Sequence, residues 1–542
     1  MYIQGYEILT YRSSDASYLA SLIPTRPLNV ASVNQEKQTQ EPQIQDSGLI
    51  SDYPLLEPDA DISKEKGADV ALSAFQDSQG LTITNEEFNR VRRKIDLHLM
   101  PLLMVTGFLQ YFDKQAINYA VNYNLRADLH LVGQQYSWAN SMFYFGYLVW
   151  QFPSLLLMQR FPVGPYFSSQ VFLWGVFSFG VAGATNFAGL AALRFLIGAA
   201  ESVQLAAFAL ITGMYYKRIE QPFRLLGWYA MNGVAIISGA LFSYGVGHFG
   251  GGVALWKYPF LISGALSVTW AVVLAFTLPS NPATAWFLTP EERIIAIARV
   301  QHNQTGIESK VFKREQAIEA ITDPKVWITD ISTGAGNILG GVAAFAAIII
   351  RGFGFTRLQT ALIQAPSGLI DIIALIVFTT AATYIPNSRL ALGAVAGTIA
   401  LVGAVILYSV EPTNRWLGIV GFWLATGFIP TGFILGLGTI SANVGGHTKK
   451  ITAQALYFVC YSVGNIVGPQ LYTTAPYKQG LHANVVALAV VVLMGIIQIA
   501  YLSWENKKRR VYLDAHRHEL NEADFQFRDL TDKQNPFCFN VM

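Results

Sequence analysis

Four polar side chains recur at every fourth residue of an otherwise apolar stretch: Gln110, Lys114, Asn118 and Asn122. In a helix this spacing aligns them along one stripe, and Asp113 lies beside it. A lysine is costly inside a lipid-embedded helix, so such a stripe is expected to face water. The stripe predicts that Lys114, Asn118 and Asn122 line a water-filled cavity where the lysine binds an anion. Packing against neighbouring helices is the alternative.

A second polar face holds Arg194, Gly198 and Glu201, at helical spacings of four and three. Arg194 and Glu201 are separated by about 10 Å of helical rise, so they do not neutralise each other directly. Counted from the helix ends, Arg194 and Asp113 lie at about equal depth. They form a candidate ion pair, and such a pair would leave Lys114 as the free cation for an anionic substrate. If Arg194 is not paired in this way, it is the other predicted substrate-binding cation.

Buried carboxyl groups are the candidates for carrying protons. Asp371 lies in an apolar stretch of the second half, at about the depth of Glu201 in the first. A desolvated carboxylate without a fixed cation can bind and release a proton near physiological pH. Glu201, Asp371 and Asp113 are therefore predicted proton-coupling residues. The alternatives are a carboxyl hydrogen-bonded to a neighbouring helix for Asp371 and a link between helices for Glu201.

A third stripe contains Tyr457, Tyr461 and Asn465 at successive i,i+4 positions. Aromatic and amide groups on one face can hold the body of a small polar ligand, although they are as often used for packing. We predict that these three residues contribute to substrate binding.

The elements that position these side chains follow from composition. The chain has 542 residues, of which 52% are hydrophobic and only 13% charged, about half the charged share of a soluble domain. Apolar stretches of about 20 residues recur and predict about twelve membrane spans. Their predicted positions are 99–121, 137–157, 166–184, 188–213, 225–248, 257–278, 327–350, 358–379, 388–408, 416–438, 452–475 and 484–504.

The spans divide the chain into two halves. We predict a disordered cytosolic tail over 1–88, a first six-span half over 89–278, a charged central loop over 279–326, a second half over 327–504 and a C-terminal tail over 505–542. Thr289-Pro290-Glu291-Glu292 predicts a helix start in the loop. Clusters of Lys and Arg lie on the side of the N-terminal tail, so the positive-inside rule places both termini and the loop in the cytosol.

Several function classes find no support in the sequence. The 37 basic and 35 acidic residues nearly balance, so no nucleic-acid partner is expected. The two cysteines are far apart and form neither a disulfide framework nor a metal site. There is no phosphate-binding loop of the Walker type and no hydrolase or metalloprotease motif. We therefore expect a non-enzyme that has no metal and needs no cofactor.

Longer strings resemble a known family. Arg194-Phe-Leu-Ile-Gly198-Ala-Ala-Glu201 is similar to the fourth-span motif of the major facilitator superfamily. The wider set resembles the fungal allantoate permease branch of its anion:cation symporter family, and comprises Phe112-Asp113-Lys114, Gly133-Gln-Gln-Tyr-Ser-Trp138, Gln159-Arg-Phe-Pro-Val-Gly164, Asp323-Pro-Lys-Val-Trp327, Gly446-His-Thr-Lys-Lys450 and Gly464-Asn-Ile-Val-Gly-Pro-Gln470.

The resemblance implies an all-α polytopic membrane protein with two pseudo-symmetric six-helix bundles around a central cavity. It also implies alternating access and proton-coupled uptake of a small organic anion at the plasma membrane, with protons as the coupling ion. Substrates in this family include allantoate, ureidosuccinate, nicotinate and pantothenate. The expected partners are such an anion and the lipid bilayer, with the chain working as a monomer. An uncoupled facilitator or vacuolar exporter of the same fold is the alternative, and a non-transporting nutrient sensor is a further one.

Overall fold

Twelve long helical segments, numbered here as spans 1 to 12, follow one another at the predicted positions. The computed structural model describes residues 84–217, 220–250, 252–301, 313–411, 413–516 and 530–542, and within these it contains no β-strand. The predicted N-terminal tail therefore lies almost entirely outside the described residues. In the first half the bounds are Asn85–Val121, Gln135–Arg160, Val163–Val181, Phe187–Tyr215, Phe223–Val246 and Leu255–Thr277. In the second half they are Pro324–Gly352, Arg357–Tyr384, Arg389–Ser409, Arg415–Asn443, His447–Gln470 and Lys478–Ala515.

The segments have the length and composition of membrane spans. Within the described residues, ten of them are long and apolar enough to cross a bilayer, and spans 2 and 3 are not among the ten. Their helical order and the two sets of six agree with the predicted all-α polytopic fold.

Span 1 begins earlier than its apolar stretch. Its helix starts at Asn85, fourteen residues before the predicted start at 99. Thr84 caps it, because the Thr84 hydroxyl accepts from the Glu87 amide at 3.3 Å and the Glu87 carboxylate accepts from the Thr84 amide at 2.9 Å. Hydropathy missed this first part because only one face, with Val91 and Ile95, is buried.

Five spans are each built from two consecutive helices. The interruptions lie after Glu201 in span 4, Tyr229 in span 5, Asn337 in span 7, Ile363 in span 8 and Gly427 in span 10. Pro366 and Pro430 stand in the first turn of the following helix in spans 8 and 10, where a residue without an amide proton is tolerated. Spans 4 and 10 hold equivalent places in the two halves, and discontinuous helices of this kind form binding sites in transporters.

The two halves contact each other along spans 1, 2, 5, 7, 8 and 11. Gly233 of span 5 and Gly368 of span 8 meet there, and a Cβ on either would stand about 2.5 Å from the carbonyl oxygen of the other. Only glycine permits this approach, which agrees with the small-residue contacts seen between membrane helices. The close crossing brings the halves together near the middle of both spans.

We call the side on which spans 1 and 7 begin the terminal face, and the opposite side the distal face. At the terminal face the central loop contributes helices Pro290–Gln301 and Arg314–Thr322. The first confirms the predicted helix start, since the Glu292 amide donates to the Thr289 hydroxyl at 3.3 Å. Its Glu292 carboxylate also binds Lys94 of span 1 at 2.6 Å.

The last thirteen residues of the C-terminal tail pack against the second half. Asn443 and Val541 exchange two hydrogen bonds, at 2.8 and 2.6 Å. Asn506 and Asn540 do the same, at 2.9 and 2.8 Å. Residues 530–542 thus form a strap, so named below, across the ends of spans 10 and 12.

A buried charged group, which we call the lysine cluster, joins this strap to the second half. Lys449 lies 2.7 Å from both Asp323 and Asp532 and 2.9 Å from Glu319, and Lys325 contacts Asp532 as well. Three carboxylates converge here, and their charge is balanced by the two ammonium groups together with Arg509 and Lys533, which lie 3.9 Å from Asp532 and Asp323 respectively. The cluster ties span 7, span 11 and the strap together.

Candidate functional site

Two cavities lie between the halves, near the middle of the spans. The larger measures about 160 Å³ and the smaller about 60 Å³. Both halves line each of them, as expected for a ligand site at the interface between transporter repeats. The residues common to both cavities are Tyr111, Lys114, Tyr229, Asn232, Phe433 and Tyr461.

Lys114 stands between the two cavities. Its Nζ donates to the Tyr461 hydroxyl at 3.0 Å and lies 5.0 Å from the ring centre of Tyr144 and 5.8 Å from those of Tyr111 and Phe143. Aromatic faces attract a cation without neutralising it. Within the described residues no carboxylate oxygen comes within 4 Å of this ammonium group. Because an ammonium group has three donors, Lys114 retains the capacity to bind an anion.

Arg194 lines the larger cavity. Its guanidinium lies 4.9 Å from the ring centre of Phe143, and its Nε and Nη1 have no hydrogen-bond partner among the described residues. Gly198, one turn further along span 4, allows this position because a Cβ there would overlap the Phe143 backbone of span 2. Arg194 is therefore a second buried cation with free donors.

The predicted ion pair between Asp113 and Arg194 is wrong. Asp113 Oδ1 accepts from Ser263 of span 6 at 2.6 Å and from Ser178 of span 3, whereas Oδ2 has no partner among the described residues. No described oxygen of Asp113 lies within 4 Å of Arg194. Counting residues along a helix compares only the depths of two side chains. The contacts of Asp113 are with spans 3 and 6 instead of span 4.

Two of the three predicted proton-coupling residues, Glu201 and Asp371, line cavities, and they lie in different ones. Glu201 lines the smaller cavity, where its Oε2 accepts from Gln110 at 2.6 Å and its Oε1 has no partner among the described residues. Asp371 of span 8 lines the larger cavity and is only 2% exposed, and its Oδ1 has no described partner. Lys114 borders both cavities, so each carboxyl group shares a cavity with it.

Amide groups surround the larger cavity. Asn118 donates to the Gln364 side chain at 2.6 Å and accepts from the Ala347 amide at 3.1 Å, so it joins span 1 to the second half. Asn465 donates to Asn337 at 3.1 Å. Asn118, Asn465 and Tyr461 therefore lie where the sequence placed them, at the cavity.

Two predicted binding residues lie elsewhere. Asn122 is one turn beyond Asn118 and donates to the Arg357 carbonyl at 2.9 Å, outside the lining of both cavities. Tyr457 is buried, donates to the Phe433 carbonyl at 2.6 Å and is likewise outside the lining. A helical stripe is longer than the cavity, so its ends make contacts between helices instead.

Hydrogen bonds join the two halves on the distal side of the larger cavity. Tyr136 donates to the Ala344 carbonyl at 2.7 Å, Ser141 to the Ile466 carbonyl at 2.8 Å and Arg357 to Asn124 at 3.0 Å. Together with Asn118 and Asn122 they form the contact that we call the distal lock.

Sequence reasoning missed several lining residues, among them Tyr111, Tyr144, Tyr229, Asn232, Asn337 and Gln364. A signal for some of them was present. Asn232, Asn337 and Gln364 interrupt apolar stretches within three residues of a helix break, and an amide in a lipid-embedded segment requires a partner. Tyrosines carry no such signal, because they are also common in packed helices.

The family model of the Major Facilitator Superfamily matches residues 103–469, which include every lining residue named above. The chain belongs to the Major Facilitator Superfamily.

Relatives within the superfamily confirm the branch. An uncharacterized transporter of Schizosaccharomyces pombe is 39% identical over 484 residues, which cover 88% of this chain and 91% of the relative. The allantoate permease of Saccharomyces cerevisiae is 31% identical over 488 residues, which cover 86% and 89%. This superfamily member is thus an allantoate permease-like transporter of the fungal type. The xylose transporter XylE of E. coli, in a partially occluded inward-open conformation, shares the fold, with a TM-score of 0.56 and 11% identity over 76% of this chain and 97% of XylE.

Proposed function

We propose that this transporter carries a small organic anion into the cell together with protons, by alternating access at the plasma membrane. The anion is of the allantoate or ureidosuccinate type, or another small carboxylate such as nicotinate or pantothenate. The clusters of basic residues at the terminal face support a cytosolic position for both termini. The name of the allantoate permease relative supports an anionic substrate.

One observation carries the proposal. Lys114 lies between both central cavities with no described carboxylate within 4 Å of its ammonium group. An uncompensated cation in a membrane protein is costly, and a bound carboxylate compensates it. Arg194, with two unpartnered nitrogens, offers a second contact to an anion in the larger cavity.

Proton coupling follows from charge. An anion entering against a negative-inside potential is opposed by about 2.3 kcal/mol per charge per 100 mV, and protons that move with it offset this opposition. Glu201 and Asp371 each have, at a cavity wall, one oxygen without a partner in the described part of the chain. We assign the coupling protons to these two groups, with Asp113 as a further candidate. Protons are then the coupling ion, and neither a metal nor an organic cofactor is needed.

We assign the change between inward- and outward-facing states to the interrupted spans. Spans 4, 5, 7, 8 and 10 are each broken beside the cavities, and the glycine crossing of Gly233 on Gly368 allows one half to rock against the other. The distal lock would open and the terminal side close when the site faces outward. One chain contains the whole arrangement, so a monomer embedded in the bilayer is sufficient.

The test is uptake of labelled allantoate at about pH 5 and pH 7, with and without a protonophore, in cells that lack their own permeases. Unlabelled nicotinate, ureidosuccinate, pantothenate and a dipeptide are run as competitors. Uptake that rises at low pH and collapses with the protonophore supports the proposal. Uptake that depends on neither pH nor the protonophore contradicts coupling and identifies a facilitator. If allantoate is not taken up, the substrate is another small acid, and labelled nicotinate, ureidosuccinate or pantothenate is then tested directly.

A further inference from the structure

A further buried carboxyl group, Asp330, lies in the second half and lines neither central cavity. Asp330 of span 7 has no exposed surface, and neither of its oxygens has a hydrogen-bond partner among the described residues. No described lysine, arginine or histidine lies within 4 Å of it. A charged carboxylate without donors or a cation is strongly disfavoured in such surroundings. The neutral, protonated form of Asp330 is therefore favoured.

The neighbours of Asp330 are polar but uncharged. Span 11 packs on this part of span 7, and the titratable groups that face Asp330 from it are the Tyr457 hydroxyl and the Cys460 thiol. On span 7 itself, Thr329 is engaged with Gln498 of span 12 at 2.7 Å. No charged side chain of spans 10, 11 or 12 in the described part acts on Asp330.

Asp330 lies between the central cavity and the terminal face. Seven residues, or about 10 Å of rise, separate it from Asn337, which lines the larger cavity. Five residues, or about 7.5 Å, separate it from Lys325 in the lysine cluster. Asp330 therefore stands about midway along span 7 between the site and the terminal face.

A third cavity adjoins the larger central cavity on the side of Asp330. It measures about 90 Å³ and lies inside the second half, and Asn337 and Phe433 line both this cavity and the larger central one. Thr329, which precedes Asp330, and Thr333, about one turn further on, also line it, as does Arg389 of span 9; Asp330 lies behind this wall, and Arg389 is more than 4 Å from its oxygens. The wall is largely apolar, but Thr329, Ser332, Thr333 and Asn337 place a row of hydroxyl and amide groups from the central cavity to the level of Asp330, and such groups are the partners that a buried water needs.

We infer that Asp330 is a second proton-binding carboxyl group of the second half, which receives the coupling proton from the central cavity and releases it toward the terminal face. The coupling proton, passed from the central cavity along water bound to the hydroxyl and amide groups of span 7, binds a carboxylate oxygen of Asp330, which becomes the neutral acid. The O–H bond then breaks and the proton leaves to cytosolic water, which restores the carboxylate. The inference rests on the proposed proton coupling.

The experiment compares Asp330→Asn with wild type in proteoliposomes, with Asp330→Glu as the variant that keeps the carboxyl group. The first measurement needs no substrate: infrared difference spectra between about pH 5 and pH 8 report the C=O band of protonated carboxyl groups and its shift in D₂O. We expect Asp330→Asn to lose one such band and Asp330→Glu to retain one. Asp371→Asn and Cys460→Ser serve as controls, because both should leave the Asp330 band in place.

The second measurement uses labelled allantoate. Exchange at equal pH on both sides is expected to stay within about twofold of wild type in Asp330→Asn, because Asp330 does not touch the site. Accumulation under a gradient of about one pH unit is expected to fall about tenfold, which is the contribution of one coupled proton. Asp330→Glu should restore most of it, which a purely structural role would not predict.

The outcomes separate the two proposals. If wild-type uptake does not depend on the pH gradient, the proposed coupling is wrong. The infrared carboxyl band is independent of uptake and still shows whether Asp330 binds and releases a proton. If wild type is coupled but Asp330→Asn accumulates allantoate with the wild-type pH profile and keeps every band, the role of Asp330 is refuted.

Discussion

Lys114 of span 1 donates a hydrogen bond of 3.0 Å to the hydroxyl group of Tyr461 of span 11, so the buried cation of one half is held by an aromatic residue of the other. The contact joins the halves at the place where the substrate is proposed to bind. A substrate carboxylate that takes this donor would loosen the contact between the halves, which couples binding to movement.

Replacing Lys114 by Ala is expected to reduce anion uptake at least about 30-fold, because loss of one member of a buried charge pair typically costs about 2–5 kcal/mol. Tyr461→Phe keeps the ring and removes only the hydroxyl group, so we expect a smaller rise in KM, of about three- to tenfold. Initial rates of labelled allantoate uptake measure both. Lys478→Ala, at the start of span 12, is the control, and an unchanged KM in Lys114→Ala would show that the site is elsewhere.

Glu201→Gln is expected to preserve exchange of substrate and remove the response to pH. The amide keeps an acceptor for the Gln110 bond of 2.6 Å but cannot gain or lose a proton in this range. Exchange at equal pH and accumulation at unequal pH are measured in parallel, with the exposed Glu86→Gln as control. A Glu201→Gln protein that still concentrates substrate under a proton gradient would exclude Glu201 as the carrier.

Breaking the distal lock is expected to populate conformations open at the distal face. Asn118→Ala removes the 2.6 Å bond to Gln364, and a hydrogen bond contributes about 0.5–1.5 kcal/mol, or about two- to tenfold in population. Spin labels at Val132 and Trp416, exposed on opposite halves, should report a longer distance. Thr398→Ala, whose hydroxyl bonds only its own helix, should leave the distance unchanged, and an unaltered distribution in Asn118→Ala would contradict the lock.

The lysine cluster predicts a dependence of stability on pH. Burial raises the pKa of Asp532, but Lys325 and Lys449 outweigh this and hold the pKa below its usual value. The ordinary aspartate pKa is about 3.9, so the stabilisation is complete above that value and is lost as the pH falls through the lower native pKa. Thermal unfolding in detergent between about pH 3 and pH 7 should show this loss.

Asp532→Asn is expected to destabilise the protein at neutral pH, since breaking a buried pair costs about 3–5 kcal/mol. The exposed Asp514→Asn is the control. The mutant should also lose the acid-dependent part of the unfolding curve. An Asp532→Asn protein with the wild-type Tm and pH profile would mean that the strap contributes nothing to stability.

Helical periodicity correctly predicted which residues line the cavity where one helix was enough to define a face. The spacing of Lys114 and Asn118 placed both at the cavity, and the stripe of span 11 correctly included Tyr461 and Asn465. Periodicity does not say where a cavity ends, so Asn122, at the end of its stripe, was assigned wrongly.

Relations between helices were less accessible to sequence reasoning. The predicted pair of Asp113 and Arg194 rested only on their equal depth. The Asp113 side chain instead accepts hydrogen bonds from Ser178 and Ser263. Asp330 was overlooked because it lies close to the charged loop and gives no stripe of its own. Hydropathy also gave the spans as continuous, since an interruption such as that after Glu201 leaves the apolar composition unchanged.

The small volume of the larger central cavity has a pharmacological consequence. At about 160 Å³ it is well below the roughly 300–1,000 Å³ of pockets that hold drug-sized ligands. A bulky anion that reaches Lys114 from one side would therefore bind without allowing the two halves to close around it. Such compounds are expected to act as competitive inhibitors that are not themselves transported, and a series of carboxylates of increasing size should pass from substrates to blockers.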